Sequence, residues 1–141
     1  MAKIHIYTDG GSRGNPGPSA LGVYITDEKG KVIEKIGIKL GITTNNIAEY
    51  SAILAGFTYV LENKEKINPE SINFFMDSQL AYSQLIGIYK IKNDGIRKLM
   101  FEIRKKEAEL NIPIFYAHIP REQNKRADEL ATSAIKNKTL Y

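Results

Sequence analysis

The sequence predicts an α/β fold built on a mixed sheet of five strands, and three observations carry that expectation. Short runs rich in β-branched and aromatic residues fill the first part of the chain, at 3–8, 20–27 and 31–39. Beyond residue 45 the apolar spacing changes to three and four, the period of a helix. Two more short apolar runs, at 71–76 and around 112–119, are then separated by helical segments. An antiparallel meander followed by helix-linked parallel strands satisfies all three.

Taken in order, KIHIYT (3–8) reads as the first strand and the Gly-rich stretch 10–18 as a loop. ALGVYITD (20–27) and KVIEKIGIK (31–39) are the next two strands, with Glu28-Lys29-Gly30 turning between them. A helix is expected over 46–62, striped by Ile47, Tyr50, Leu54, Phe57 and Leu61. SINFFM (71–76) is short and apolar throughout, as a strand buried on both faces should be. Helices follow near 78–87 and 94–110, the second striped by Ile96, Leu99, Ile103 and Leu110. IPIFYAHI, ending at Pro120, supplies the fifth strand. A last helix over 125–137 turns Ala127, Leu130, Ala131, Ala134 and Ile135 inward, and residues 138–141 are expected to fray.

A chain of 141 residues fits one domain, 1–141, and buries roughly two-thirds of its unfolded surface without help from a staple. The absence of cysteine excludes a disulfide scaffold, a thiolate zinc site and a cysteine nucleophile. The opening residues resemble no signal peptide, and no apolar run nears the ~20 residues of a bilayer span. A cytoplasmic protein without membrane contact is the expectation. The net charge is +4, from 20 bases and 16 acids. If four acids gather at one point, 12 remain against 20 bases, and the rest of the surface carries about +8. An acidic pit in a basic surface suits a metal site acting on a polyanion.

Four carboxylates stand where such a pit could form. Asp9 is expected at the C-terminal end of the first strand and Asp77 at that of the fourth. In α/β sheets ligands bind beyond the carboxyl ends of strands. Glu49 lies in the first turn of its helix, on a flank with Ile53, Gly56 and Val60, at the edge of the apolar stripe. Asp128 lies near the start of the last helix. A structural role competes at each position. Asp9-Gly10 favours a turn, and Asp77 could cap the following helix. Asn46 to Glu49 has capping-box spacing, and Asp128 suits a helix N-terminus. Were the four to converge, they would be untenable at neutral pH without cations. Oxygen donors alone select Mg²⁺ or Mn²⁺.

Four motifs carry a resemblance. YTDGGSRGNPGP (7–18), TTNNIAEYSAI (43–53), MDSQL (76–80) and REQNKRADELA (121–131) occur in the order and spacing of the type 1 ribonuclease H family. The chain resembles that family over nearly its whole length. The resemblance implies a ribonuclease H-like fold, with helices on both faces of the five-stranded sheet. It implies that Asp9, Glu49, Asp77 and Asp128 are catalytic, metal-binding carboxylates for two Mg²⁺ ions, with Mn²⁺ as a substitute. The reaction implied is hydrolysis of the RNA strand of an RNA–DNA hybrid, leaving 5′-phosphate and 3′-hydroxyl ends. Asn15, Asn45, Asn46 and Gln79 match positions lining the minor groove of the hybrid, and Thr44 a position near a DNA phosphate. Amides suit a groove that displays base acceptors and 2′-hydroxyls. The backbone of Gly10, Gly11 and Ser12 is expected near the sugar beside the scissile phosphate. Helix capping competes for Asn45 and Asn46. Double-stranded RNA is a further candidate partner, and nothing demands an oligomer.

The chain departs from the family pattern twice. Family members carry a His in a flexible loop before the last helix. Here the connection is short, and two alignments compete. One puts His118 in that role; the other places His118 in the strand and brings Arg121 towards the phosphate. A structural role for His118 stays open as well. The basic, Trp-containing handle after the second helix is also missing, since GIYKIKNDG (87–95) joins the helices and the chain has no Trp. Lys90, Lys92, Arg97 and Lys98 offer a modest basic patch instead.

Three other readings compete. A non-catalytic hybrid- or duplex-RNA-binding module is opposed by the presence of all four carboxylates. A related DNA-processing nuclease is opposed by the Asn-Asn and Asp-Ser-Gln set. A nucleotide-binding enzyme is opposed by the Gly-rich loop, which lacks the Gly-Lys-Ser/Thr ending and opens into a strand.

Overall fold

β1 (Ala2–Ser12), β2 (Gly17–Asp27) and β3 (Val32–Thr43) form the antiparallel meander in the computed structural model, which describes residues 2–136. Then come α1 (Asn45–Glu62), a one-turn α2 (Lys64–Ile67), β4 (Pro69–Met76), α3 (Gln79–Leu85) and α4 (Asp94–Leu110). β5 (Ile114–His118), a 3₁₀ turn at Arg121–Gln123 and α5 (Lys125–Lys136) complete the described chain. The expected fraying of 138–141, and residue 137 of the expected last helix, lie outside the described residues.

The sheet has the order β3-β2-β1-β4-β5, with β1, β4 and β5 mutually parallel. α1 and α4 pack together on one face, and α5 crosses β1, β2 and β3 on the other. The core lies mainly beneath α1, where Ile4, Ile6, Val23, Ile25, Ile72 and Phe74 are fully buried.

Several boundaries differ from those the sequence predicts. β1 does not stop at residue 8, because Gly10, Gly11 and Ser12 keep pairing with Leu21, Ala20 and Ser19. The loop is therefore confined to 13–16, and Asp9 sits inside a strand rather than in a turn. β3 likewise runs on to Thr43, held by Gly17, Pro18 and Ser19. Neither α2 nor the 3₁₀ turn is long enough to show an apolar period. On α1, the flank of Ile53, Gly56 and Val60 is buried, while Ile47, Leu54 and Leu61 are only half-buried. The helix is wedged between sheet and α4, so its buried face is broader than one stripe and includes Glu49.

Candidate metal and nucleic-acid site

Capping is settled by neighbouring hydroxyls. Thr44, not Asn46, caps α1, its Oγ1 accepting from the Ile47 amide at 3.2 Å. Ser78, not Asp77, caps α3, its Oγ accepting from the Ala81 amide at 3.1 Å. Glu49 and Asp77 are thus released from the local roles that competed for them.

Register does the rest. Thr8 pairs with Met76 across the parallel β1–β4 ladder, so the next residues, Asp9 and Asp77, emerge side by side. Glu49 and Asp128 arrive from opposite faces, and each approach needs a glycine. A Cβ on Gly10 would collide with the backbone of Ala48, which lets α1 close onto β1 directly beside Asp9. A Cβ on Gly22, the cross-strand partner of Asp9, would collide with the backbone of Ala127 and Ala131 in α5. That second close approach carries Asp128 to the site.

The outcome is a carboxylate trio. One oxygen each from Asp9, Glu49 and Asp77 lies within 4.8 Å of the others. Asp128 stands outside this trio, but it lines the same cavity, close enough for its charge to act on Asp9. Burial pushes Asp9 up to about 7, reinforced by the negative charges of Asp77 and Asp128. Burial also raises Glu49 well above the usual carboxylate range, with Asp9 and Asp77 adding to it. Glu49 Oε2 is buried and has no hydrogen-bond partner. A buried, partnerless oxygen facing two more carboxylates fits a divalent cation, whose charge reverses the local penalty on ionisation. The donor set is all oxygen, which fits a hard ion.

These carboxylates open onto a cavity of 660 Å³ lined also by Gly10, Gly11, Ser12, Asn45, Asn46 and Arg121. Asn15 and Asn45 tie its lip together. Ser12 N donates to Asn45 Oδ1 at 2.9 Å, and the Asn45 amide donates to Asn15 Oδ1 at 3.0 Å. Thr44 and exposed Gln79 do not line the cavity, and Thr44 is engaged as the cap. His118 is the last residue of β5, with Nε2 3.2 Å from the Asp77 carbonyl oxygen, and it does not line the cavity either. The alignment that keeps His118 in the strand is the one realised. The loop is short, and its Arg121 lines the same cavity as the carboxylates.

Asn124 was not foreseen as a site residue. It is 1% exposed, and its Nδ2 donates to Thr8 O at 2.9 Å and to Asp77 Oδ2 at 3.3 Å. Its place four residues before Asp128 was the available signal, since a helix start that delivers one carboxylate also passes close to its neighbours. Within the modest basic patch Arg97 pairs with Asp94 at 3.1 Å, and eight residues, 86–93, join α3 to α4. No described helix is long and apolar enough to cross a membrane.

Residues 7–134 match the family model described as reverse transcriptase-like. Ribonuclease HI of Halobacterium salinarum is 35% identical over 134 residues, 94% of this chain and 64% of that protein. Ribonuclease H of Thermoanaerobacter pseudethanolicus is 32% identical over 146 residues, 96% of this chain and 92% of that one. LC11-RNase H1, solved in complex with an RNA/DNA hybrid, superposes with a TM-score of 0.88 at 41% identity, covering 94% of this chain and 96% of its own. The chain spans about two-thirds or less of several curated relatives, including 35% of the bifunctional protein Rv2228c of Mycobacterium tuberculosis.

Proposed function

The chain belongs to the type 1 ribonuclease H family, and on that premise we propose that it is a divalent-metal-dependent endonuclease cutting the RNA strand of RNA–DNA hybrids. One observation carries the reading: Asp9, Glu49 and Asp77, from three separate segments, bring oxygens within 4.8 Å while one buried oxygen has no partner. The hybrid-bound relative supports the substrate class.

Asp9, Glu49, Asp77 and Asp128 would hold Mg²⁺ or Mn²⁺. When bound, two such ions supply Lewis-acid stabilisation to an in-line displacement at phosphorus, leaving a 5′-phosphate and a 3′-hydroxyl. Arg121, at the cavity wall, is placed to offset charge on the phosphate. His118 holds the Asp77 backbone and serves the site through it. Asn45 and Asn46 present amides to the minor groove, with Asn15 fixing Asn45, while Gln79 extends the contact along the exposed start of α3. Gly10, Gly11 and Ser12 offer the floor on which the scissile sugar rests. Thr44 contributes a phosphate contact through the turn that it caps. The chain acts as a single-domain monomer.

Cleavage of end-labelled hybrid, RNA duplex and DNA duplex, each with Mg²⁺, Mn²⁺ or EDTA, tests this. Metal-dependent cutting confined to the RNA strand of the hybrid is expected. Hybrid binding without cutting under any metal would leave a non-catalytic module, and cutting of the DNA duplex would reassign the substrate.

A further inference from the structure

The sheet face that carries α5 has a second exposed feature. Side chains alternate along β1, so Lys3, His5, Tyr7 and Asp9 share this face. Register then places Tyr7 between Phe75 and Tyr24, His5 beside Asn73, and Phe115 beyond Asn73. α5 closes tightly over the Asp9 end, where Gly22 admits it, and borders the Tyr7 and Tyr24 row through Arg126. The rows two and four residues back remain accessible. His5, Tyr7, Tyr24 and Phe75 are half-buried and Phe115 is 56% exposed.

The rings form a continuous array across three strands. Tyr7 and Phe75 stack at 4.9 Å, Tyr7 and Tyr24 lie 6.2 Å apart, and His5 meets Phe75 edge-on at 5.3 Å. The rim is basic. Lys3 and Lys35 are exposed on this face, and Arg126 lines the hollow beside Tyr7 and Tyr24. Arg126 has an acid nearby, Glu129 at 3.9 Å. Aromatic rings flanked by cations match a single nucleic-acid strand, whose bases stack on π-faces while its phosphates meet the charges. Base stacking without a paired partner strand requires a single strand.

We propose that this face is a second nucleic-acid site that takes single-stranded RNA. The choice of RNA rests on the proposed cleavage, which releases RNA fragments. It also rests on proximity, since Arg121 lines the carboxylate cavity and Gln123, in the same 3₁₀ turn, lines the aromatic hollow.

Binding is measured in EDTA by fluorescence anisotropy, with labelled single-stranded RNA and DNA about eight nucleotides long. Failure here is thereby separable from failure of cleavage. Phe115→Ser and Lys3→Glu should each weaken RNA binding, together by about tenfold, while kcat/KM on hybrid stays unchanged. In the wild-type protein, photo-cross-linking with thiouridine-substituted RNA should label β1, β4 or β5 peptides carrying Tyr7, Phe75 or Phe115. The proposal is overturned by unchanged RNA affinity, by cross-links confined to the cavity around Asn45, or by hybrid affinity falling in parallel. Tighter binding of the DNA oligomer, or a dimer that Phe115→Ser dissolves, would give the face to another occupant.

Discussion

Glu49 and Asp128 reach one cavity from opposite faces of the sheet, yet they end in different states. Glu49 is 8% exposed, sits inside the carboxylate trio and keeps a buried oxygen without a partner. Asp128 is half-buried and stands outside the trio. The cause is local. α1 is clamped between sheet and α4, so its first turn cannot withdraw from Asp9, whereas Asp128 sits on a half-exposed position of α5, between the exposed Arg126 and Glu129 and the buried Ala127 and Ala131. Burial, more than sequence motif, decides which carboxylate depends on a cation.

The largest break in that comparison comes from the trio. Asp77→Asn and Glu49→Gln should each reduce hybrid cleavage by on the order of 10³-fold, with circular dichroism unchanged. If Glu49→Gln retained wild-type kcat, Glu49 would have no part in metal binding. The second effect is on stability of the metal-free protein. Asp9 rises from 3.8 to about 7 on folding, so between those values the folded state holds a proton that the unfolded chain has released. Stability falls as pH rises through that window, being fully present below about 4 and lost above about 7. The shift sets a ceiling of about 4 kcal/mol, and Glu49 acts in the same direction. Melts in EDTA should therefore give a lower Tm at pH 8 than at pH 5.5. Asp9→Asn should flatten the dependence, and Mg²⁺ should restore stability at pH 8. A Tm that rises with pH in EDTA would show that the trio is not strained.

Asp128 should matter less. Asp128→Asn is expected to lower kcat by about 10- to 100-fold, with a weaker requirement for burial and a smaller change in the Tm–pH profile than Asp9→Asn. Equal losses at Asp128 and Glu49 would erase the distinction between the two sides.

Much of this arrangement was legible in the sequence, for definite reasons. Alternation and helical period exposed all five strands and the long helices, whereas the parallel pairing of β1 with β4 is what the structure adds. That pairing alone put Asp9 beside Asp77. The extension of β1 through Gly10-Gly11-Ser12 was hidden because glycine signals turns, whereas here Gly10 serves a close helix approach that only the three-dimensional packing reveals. The burial of Glu49 was hidden because α1 is covered on two sides, and a one-stripe reading leaves that flank at the edge. Thr44 displaced Asn46 as cap because a hydroxyl one residue before the helix was competing for the same amides.

Asn124 gives the finest test, because it joins the two sides. It belongs to the turn that starts α5, and its Nδ2 holds both the Thr8 carbonyl and the Asp77 carboxylate. Removing the amide should free Asp77 to rotate and leave the Thr8 carbonyl unsatisfied, costing about 1–3 kcal/mol of stability. Asn124→Ala should then lower kcat by about tenfold with KM little changed and raise the Mg²⁺ concentration needed for half-maximal rate. Asn124→Asp is harsher in charge but close in shape, placing another carboxylate against Asp77. It should lower kcat further at low Mg²⁺ and recover at high Mg²⁺, which a purely structural asparagine would not allow. Loss of stability with an unaltered Mg²⁺ titration in both variants would confine Asn124 to packing.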